Sequence, residues 1–135
     1  MADTKTRERP LSPHLQIYRW PLPMMMSIAH RVTGVGLYFG TLLVAWWLLT
    51  VSAGPGTYSR MTGFFNSWVG RVILFGYTWA LIHHMLGGIR HLIWDTGRGF
   101  EPHEREGLAL GTIVGSIGFT LVLWFVGYFM IGSAR

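Results

Sequence analysis

The sequence contains no cysteine, and this absence removes several chemistries at once. Without thiols the chain can form no disulfide, no thiolate nucleophile and no cysteine-ligated zinc or iron–sulfur centre of its own. Histidine, with six copies, is the strong metal ligand that remains in numbers. Any metal chemistry in this chain is therefore expected to involve imidazole.

Charged residues are also scarce, at 13% of the chain, whereas soluble domains carry about 25%. Half of the residues are hydrophobic and 15% are aromatic. The basic residues are spread along the chain and form no dense patch, so nucleic-acid binding is not expected. The composition favours a single integral membrane domain, residues 1–135, whose basic residues flank the lipid bilayer.

Three apolar runs approach the roughly 20 residues that cross a ~30 Å hydrocarbon core. They predict an all-α fold with three transmembrane helices over residues 24–52, 64–94 and 108–131. Residues 1–23 contain no apolar segment of the kind that a secretory signal peptide needs, and we interpret them as a cytoplasmic N-terminal segment. Pro21 and Pro23 disfavour helix before the first run, and the stretch "AGPG" ends it.

The positive residues predict the orientation, because cytoplasmic flanks carry an excess of lysine and arginine. The N-terminal flank and the second loop with its flanks hold most of them, namely Lys5, Arg7, Arg9, Arg19, Arg90, Arg98 and Arg105. The first loop holds only Arg60, with Arg71 just inside the next helix. We therefore expect a cytoplasmic N-terminus and second loop, in the inner membrane of a bacterium.

The end of the second run, "HHMLGGIRHLIWD", carries polar residues where lipid is expected. On a helix His84, Gly87, Gly88 and His91 share one face, and His83 points about 100° away. His84 precedes Asp95 by eleven residues, roughly 16 Å along a helix, which places it near the bilayer centre. Because helical glycines cost ~1 kcal/mol each, the pair suggests room for a flat, bulky group.

Position alone leaves two interpretations of His84 open. Neutral imidazole is a good axial ligand for haem iron, but a histidine at this depth can also hydrogen-bond to a neighbouring helix. His91 is interpreted as an anchor, a haem-propionate partner or a supporting group. His83 is expected to be structural.

A second polar group, "SIAHRVTG", begins the first predicted helix. Ser27, His30, Arg31 and Gly34 share a helical face, with Arg31 roughly 10 Å inside the helix. An arginine at mid-membrane costs ~2.5–3.5 kcal/mol, so it requires an anion or carbonyl oxygens, or it snorkels to the surface. A haem propionate or a quinone carbonyl would serve. The opposite directions of the first two helices place this face and the His84 face in the same cytoplasmic half.

These two segments together resemble the cytochrome b subunits of succinate dehydrogenase, the membrane anchors of respiratory complex II. The first signature, an Arg-Pro followed by Ser-x-x-His-Arg-x-Ser/Thr, is matched by Arg9, Pro10, Ser27, His30, Arg31 and Thr33. The second signature is matched by His84, Gly88, Arg90, His91, Trp94 and Asp95. The motifs cover about 40 residues, and no motif position departs from the pattern.

The resemblance implies a helical bundle completed by a second small anchor subunit, with haem b shared between the two. His84 would be the axial ligand of the haem iron, and His30 and Arg31 would lie near the haem propionates. His91 is kept beside them as a candidate cofactor-binding residue because of its helical position. Ser27 and Arg31 would belong to the quinone site. A flavoprotein and an iron–sulfur subunit would bind the cytoplasmic side and deliver electrons from succinate through FAD and iron–sulfur clusters to the quinone.

The resemblance leaves rivals. The anchor of a quinol:fumarate reductase would have similar residues, but electrons would pass from the quinol to fumarate. A haem-free anchor would have a structural role alone. A small transporter or channel subunit would need a polar stripe along a whole helix, which the third run lacks. No residues suggest nucleophilic catalysis, so the chain is expected to be an enzyme subunit without a complete active site.

Overall fold

The computed structural model describes the backbone of residues 17–133 and the side chains of residues 17–130. Four helices follow one another: α1 (Leu22–Ser52), α2 (Pro55–Asn66), α3 (Trp68–Asp95) and α4 (Pro102–Ser133). No strand occurs in this part of the chain, so the predicted all-α fold is confirmed. Residues 1–16, which include Arg9 and Pro10 and most of the predicted N-terminal segment, lie outside the described residues.

Three of the helices are long and apolar enough to cross a membrane. The most apolar windows of α1, α3 and α4 have mean hydropathies of 1.7, 1.4 and 2.0. The chain is therefore a multi-pass membrane protein, as its composition predicts. The residues at which lipid begins and ends along each helix remain predictions.

The first connection differs from the polar loop that the sequence suggests, because residues 55–66 form a helix. Gly54 takes φ 99°, which glycine adopts without strain, and Pro55 then fits the first helical turn. Met61 faces inward and accepts a 3.0 Å hydrogen bond from Thr50. Residues 64–66, assigned by sequence to the second span, belong to this short helix.

A sharp break separates α2 from α3 at Ser67. Its backbone is extended, with ψ 161°, and its hydroxyl oxygen accepts a 3.2 Å hydrogen bond from the Gly70 amide. Serine is a preferred N-cap because it satisfies one of the free amides of the first turn. The cap turns the chain from the short helix into the long one.

Helix α3 is the centre of the bundle and packs against α1, α2 and α4. Its contacts with α4 are lined by buried small and polar residues: Ala109, Thr112, Ser116 and Thr120. Such residues suit helix packing in lipid, where close approach and hydrogen bonds replace the hydrophobic effect. Large apolar side chains cover the outside of the helices.

The sequence has glycines at four-residue spacing, which favours close helix packing, and two of these five glycines lie at contacts between the helices. Gly40 faces the ring of Tyr77, and a side chain at Gly115 would lie 3.1 Å from Leu86. Gly36, Gly107 and Gly111 have open space around them. Of these five glycines, Gly40 therefore lies at the α1–α3 contact and Gly115 at the α3–α4 contact.

Candidate functional site

Three histidines from the two predicted faces meet where α1 packs against α3. The imidazole rings of His30 and His84 stack with centroids 4.0 Å apart and planes 5° from parallel. The ring of His91 lies 5.3 Å from that of His30. The structure thus brings together the two sequence segments that were expected to share one half of the bundle.

Reciprocal hydrogen bonds fix the stacked pair. Nδ1 of His84 lies 3.0 Å from the carbonyl oxygen of His30, and Nε2 of His30 lies 3.2 Å from the carbonyl oxygen of His84. A carbonyl can only accept, so both of these nitrogens carry protons. In the neutral tautomers that follow, Nε2 of His84 and Nδ1 of His30 keep their lone pairs.

Thr33 stands beside this pair and is buried. Its hydroxyl lies 3.5 Å from Nδ1 of His84 and donates to the carbonyl oxygens of Ala29 and His30, at 2.9 and 3.0 Å. The threonine thus lies against the His84 ring on the α1 side. Only its place in the motif could have marked it in the sequence, since a threonine in an apolar helix is otherwise unremarked.

Two glycines make room for the rings. A Cβ at Gly34 would lie 2.9 Å from Cε1 of His84, and a Cβ at Gly87 would overlap the ring of His30. Gly88 has open space instead. The missing side chain at Gly87 leaves a notch in α3, and the His30 imidazole of this same chain occupies it. The surface of α3 at Gly88 is not covered by any described residue.

Ser27 and Arg31 lie at the same end of α1 as the histidine cluster. Ser27 is half-buried one turn before Arg31, and Arg31 is exposed. Neither side chain hydrogen-bonds to another residue within the described part of the chain. A hydroxyl and a guanidinium are thus available at the α1 surface beside the stacked imidazoles.

A second polar cluster, not expected from sequence, lies between α3 and α4. Nδ1 of His83 is 3.3 Å from the hydroxyl of Ser116, in agreement with a structural role for this histidine. Arg90 is only 2% exposed, and its guanidinium carbon lies 5.1 Å from the ring centroid of Trp94. Helical spacing, two turns between His83 and Arg90, could have indicated this shared face.

The remaining polar residues of this end are peripheral. Asp95 is exposed at the end of α3, and within residues 17–133 it has no partner. Asp95 therefore forms no polar network with Arg90 and His91, its neighbours in the sequence, within this part of the chain. Trp94 donates a 2.9 Å hydrogen bond to the carbonyl of Gly99, which closes the turn between α3 and α4.

An apolar cavity of about 340 Å³ occupies the other end of the bundle, between α1, α2 and α3. Trp47, Met61 and Tyr77 are among its lining residues. None of the residues singled out by the sequence lines it, so the polar cluster and the cavity are separate features.

The fold and the cluster define a class: an all-α multi-pass membrane subunit. At one end of its bundle the His84 imidazole is held in place and the Arg31 guanidinium is exposed. The chain belongs to the family of succinate dehydrogenase/fumarate reductase transmembrane subunits, whose family model matches residues 5–126.

Individual relatives are similar in sequence to this chain over most of its length. It is 42% identical over 129 residues to the succinate dehydrogenase cytochrome b556 subunit of Paracoccus denitrificans, which covers 93% of this chain and 99% of the relative. It is 37% identical to the subunit of the same name from Rickettsia felis, over 90% of this chain and 98% of that one. The mitochondrial cytochrome b560 subunit of Bos taurus is 38% identical, over 84% and 70% of the two chains.

Proposed function

We propose that this chain is the membrane-anchor cytochrome b subunit of a bacterial succinate dehydrogenase. Its relatives carry that name, and its three apolar helices provide the anchor. Its partners would be a second small anchor subunit, an iron–sulfur subunit and a flavoprotein subunit. The chain would sit in the inner membrane with its N-terminus in the cytoplasm.

We propose His84 as an axial ligand of a haem b shared with the second anchor. The observation that carries this proposal is the hydrogen bond from Nδ1 of His84 to the His30 carbonyl. A ligating histidine commonly donates its other ring N–H to such an acceptor, which orients the ring and leaves Nε2 for the metal. When bound, the haem would supply one-electron transfer, with its potential set by the axial ligands and nearby hydrogen bonds.

The neighbouring residues would position that haem. His30 supports one face of the His84 ring by stacking at 4.0 Å. The exposed guanidinium of Arg31 and the ring of His91 would lie near the propionates, where a cation and an N–H donor can bind carboxylates. No closed metal site is needed within this chain, because the second ligand would come from the partner anchor.

We propose that Ser27 and Arg31 belong to the quinone site. The serine hydroxyl can donate to a quinone carbonyl, and the guanidinium can stabilise negative charge that builds up on the ring as it is reduced. Both groups are without partners among residues 17–133, so their donors are available. A quinol:fumarate reductase would use the same groups in the opposite direction, and the names of the relatives favour succinate oxidation.

An optical spectrum tests the haem assignment. The complex would be purified with the wild-type chain, with His84→Ala and with His103→Ala, an exposed histidine that serves as the matched control. We expect a b-type band in the reduced-minus-oxidised spectrum of the wild type and of the control, and its loss or shift in His84→Ala. An unchanged band in His84→Ala would refute ligation by this residue.

Activity with two acceptors tests the quinone site. Ser27→Ala and Arg31→Met are expected to slow succinate:quinone reduction about ten- to a hundredfold, which corresponds to about 1.5–3 kcal/mol for a hydrogen bond to a charged group. Electron transfer from succinate to a soluble dye should continue, because it bypasses the anchor. Ser59→Ala and Arg60→Met on α2 are the controls. Equal losses with both acceptors would indicate a disrupted complex rather than a quinone site.

A further inference from the structure

The contact between α3 and α4 contains buried polar atoms that the protein itself does not satisfy. His83 is 3% exposed and Arg90 is 2% exposed. Nε2 of His83 and both Nε and Nη1 of Arg90 are buried and have no hydrogen-bond partner among the described residues. An unsatisfied buried polar group destabilises the fold, and a charged one does so more strongly, so these atoms require a partner.

Ser116 determines what the free nitrogen of His83 can do. Its hydroxyl donates a 2.9 Å hydrogen bond to the carbonyl of Ile113, so its oxygen is left to accept at the 3.3 Å contact with Nδ1 of His83. Nδ1 then carries the proton, and Nε2 of the neutral ring is an acceptor. The unsatisfied set is thus one acceptor nitrogen from His83 and two donor nitrogens from Arg90, which together carry three N–H groups.

Helical spacing places these groups on one face of α3. His83 and Arg90 are seven residues apart on α3, which is two turns, about 10.5 Å, on the same face. The Arg90 guanidinium lies over the Trp94 ring, with its central carbon 5.1 Å from the ring centroid, so the distance to His83 is spanned by a bridging molecule and not by a direct contact. On the α4 side Thr112 and Ser116 are small, polar and buried.

The enclosure limits the partner to a small molecule. The two side chains are buried by this chain alone, so a lipid headgroup or a side chain of another subunit has no path to the unsatisfied atoms. Chloride or sulfate could accept from Arg90, but neither has a proton to donate to Nε2 of His83. Water donates and accepts, and it is the small molecule that satisfies both ends.

We propose that the α3–α4 contact of this subunit binds ordered internal water between Nε2 of His83 and the guanidinium of Arg90. The water accepts from Arg90 and donates to His83, either directly or through a second water molecule. It lets a charged guanidinium remain inside the bundle without an ion-pair partner. The site is separate from the proposed haem and quinone sites, since His83 points about 100° away from His84 and contacts α4 rather than α1.

A density map of the intact complex tests the proposal, at a resolution where ordered water is visible. We expect a peak within about 2.7–3.2 Å of Nε2 of His83 or of Nη1 of Arg90, linking the two groups. No peak at this place, or a rotated Arg90 that pairs with a protein carboxylate, would overturn it. A peak bound to Arg90 alone, with no hydrogen bond toward His83, would indicate an anion and would also overturn it.

Variants add a second readout. His83→Phe removes the acceptor and is expected to abolish the peak at that position, whereas His103→Phe on the exposed start of α4 should leave it. If the His83→Phe complex does not assemble, the wild-type map alone still decides the question. A peak that persists unchanged in an assembled His83→Phe complex would contradict the role given to Nε2.

Discussion

The imidazole of His84 is positioned by backbone, and this determines its chemistry. The His30 carbonyl fixes the proton on Nδ1, and the stacked His30 ring supports one face of the imidazole. A carbonyl on a packed helix cannot rotate away as a side-chain partner can, so the tautomer with a free Nε2 is built into the contact between α1 and α3. The histidine is therefore prepared for a ligand before the ligand arrives.

The two adjacent glycines of α3 provide a test of this contact. Gly87→Ala is expected to displace the His30 ring, which a Cβ at residue 87 would overlap, and to destabilise the subunit by about 1–3 kcal/mol, as overpacking does. Gly88→Ala is the matched control, because its Cβ would meet open space and alanine favours helix by about 0.5–1 kcal/mol. Thermal unfolding of the purified complexes measures both.

The haem band gives that experiment a readout closer to the site. We expect Gly87→Ala to shift or weaken the band by moving His30 away from the His84 ring, and Gly88→Ala to leave it unchanged. Equal stability and equal spectra for the two variants would contradict the notch at Gly87. A change confined to Gly88→Ala would place the bound group on the open glycine.

At the scale of elements, the corner between α2 and α3 depends on a single glycine. A Cβ at Gly70 would collide with the backbone of Phe64 and Phe65, which cannot yield as a side chain does. Gly70→Ala is therefore expected to destabilise the subunit by about 1–3 kcal/mol. Gly76→Ala on the same helix has open space and should be neutral or slightly stabilising. Thermal unfolding of the two complexes side by side checks this; equal melting temperatures would show that the corner relaxes freely.

The same corner shows what sequence patterns can and cannot predict. Long apolar runs predict α1, α3 and α4, because roughly 20 apolar residues in a row have few alternatives to a spanning helix. Helix α2 was missed, because twelve mostly polar residues with two glycines look like a loop until the packing of Met61 under the helix is known. The residues that share a face with His30 on α1 and with His84 on α3 could be predicted, because an α-helix has 3.6 residues per turn. The burial of Arg90 did not, since it depends on which face of α3 meets α4.

At the scale of the whole molecule, large apolar side chains cover the outer surface of the helices. The polar side chains of the candidate site lie together at one end of the bundle. Ser27 and His84 are half-buried, and Arg31 is exposed, so their free groups open toward the surface of α1 and α3 rather than into the interior of this chain. We expect the second anchor subunit to cover this surface and to complete the haem and quinone sites. The orientation of the bundle then decides on which side of the membrane electrons reach the quinone.

That orientation can be measured directly, because the chain has no cysteine and single cysteines can be introduced without background. Ser59→Cys on α2 and Thr96→Cys after α3 both lie at exposed positions at opposite ends of α3. The excess of positive charge on the Thr96 side predicts that this end is cytoplasmic. A membrane-impermeant maleimide applied to spheroplasts should therefore label Ser59→Cys at once and Thr96→Cys only after lysis. The reverse pattern would place the histidine cluster on the outer side, where an iron–sulfur subunit in the cytoplasm could not reach the quinone site.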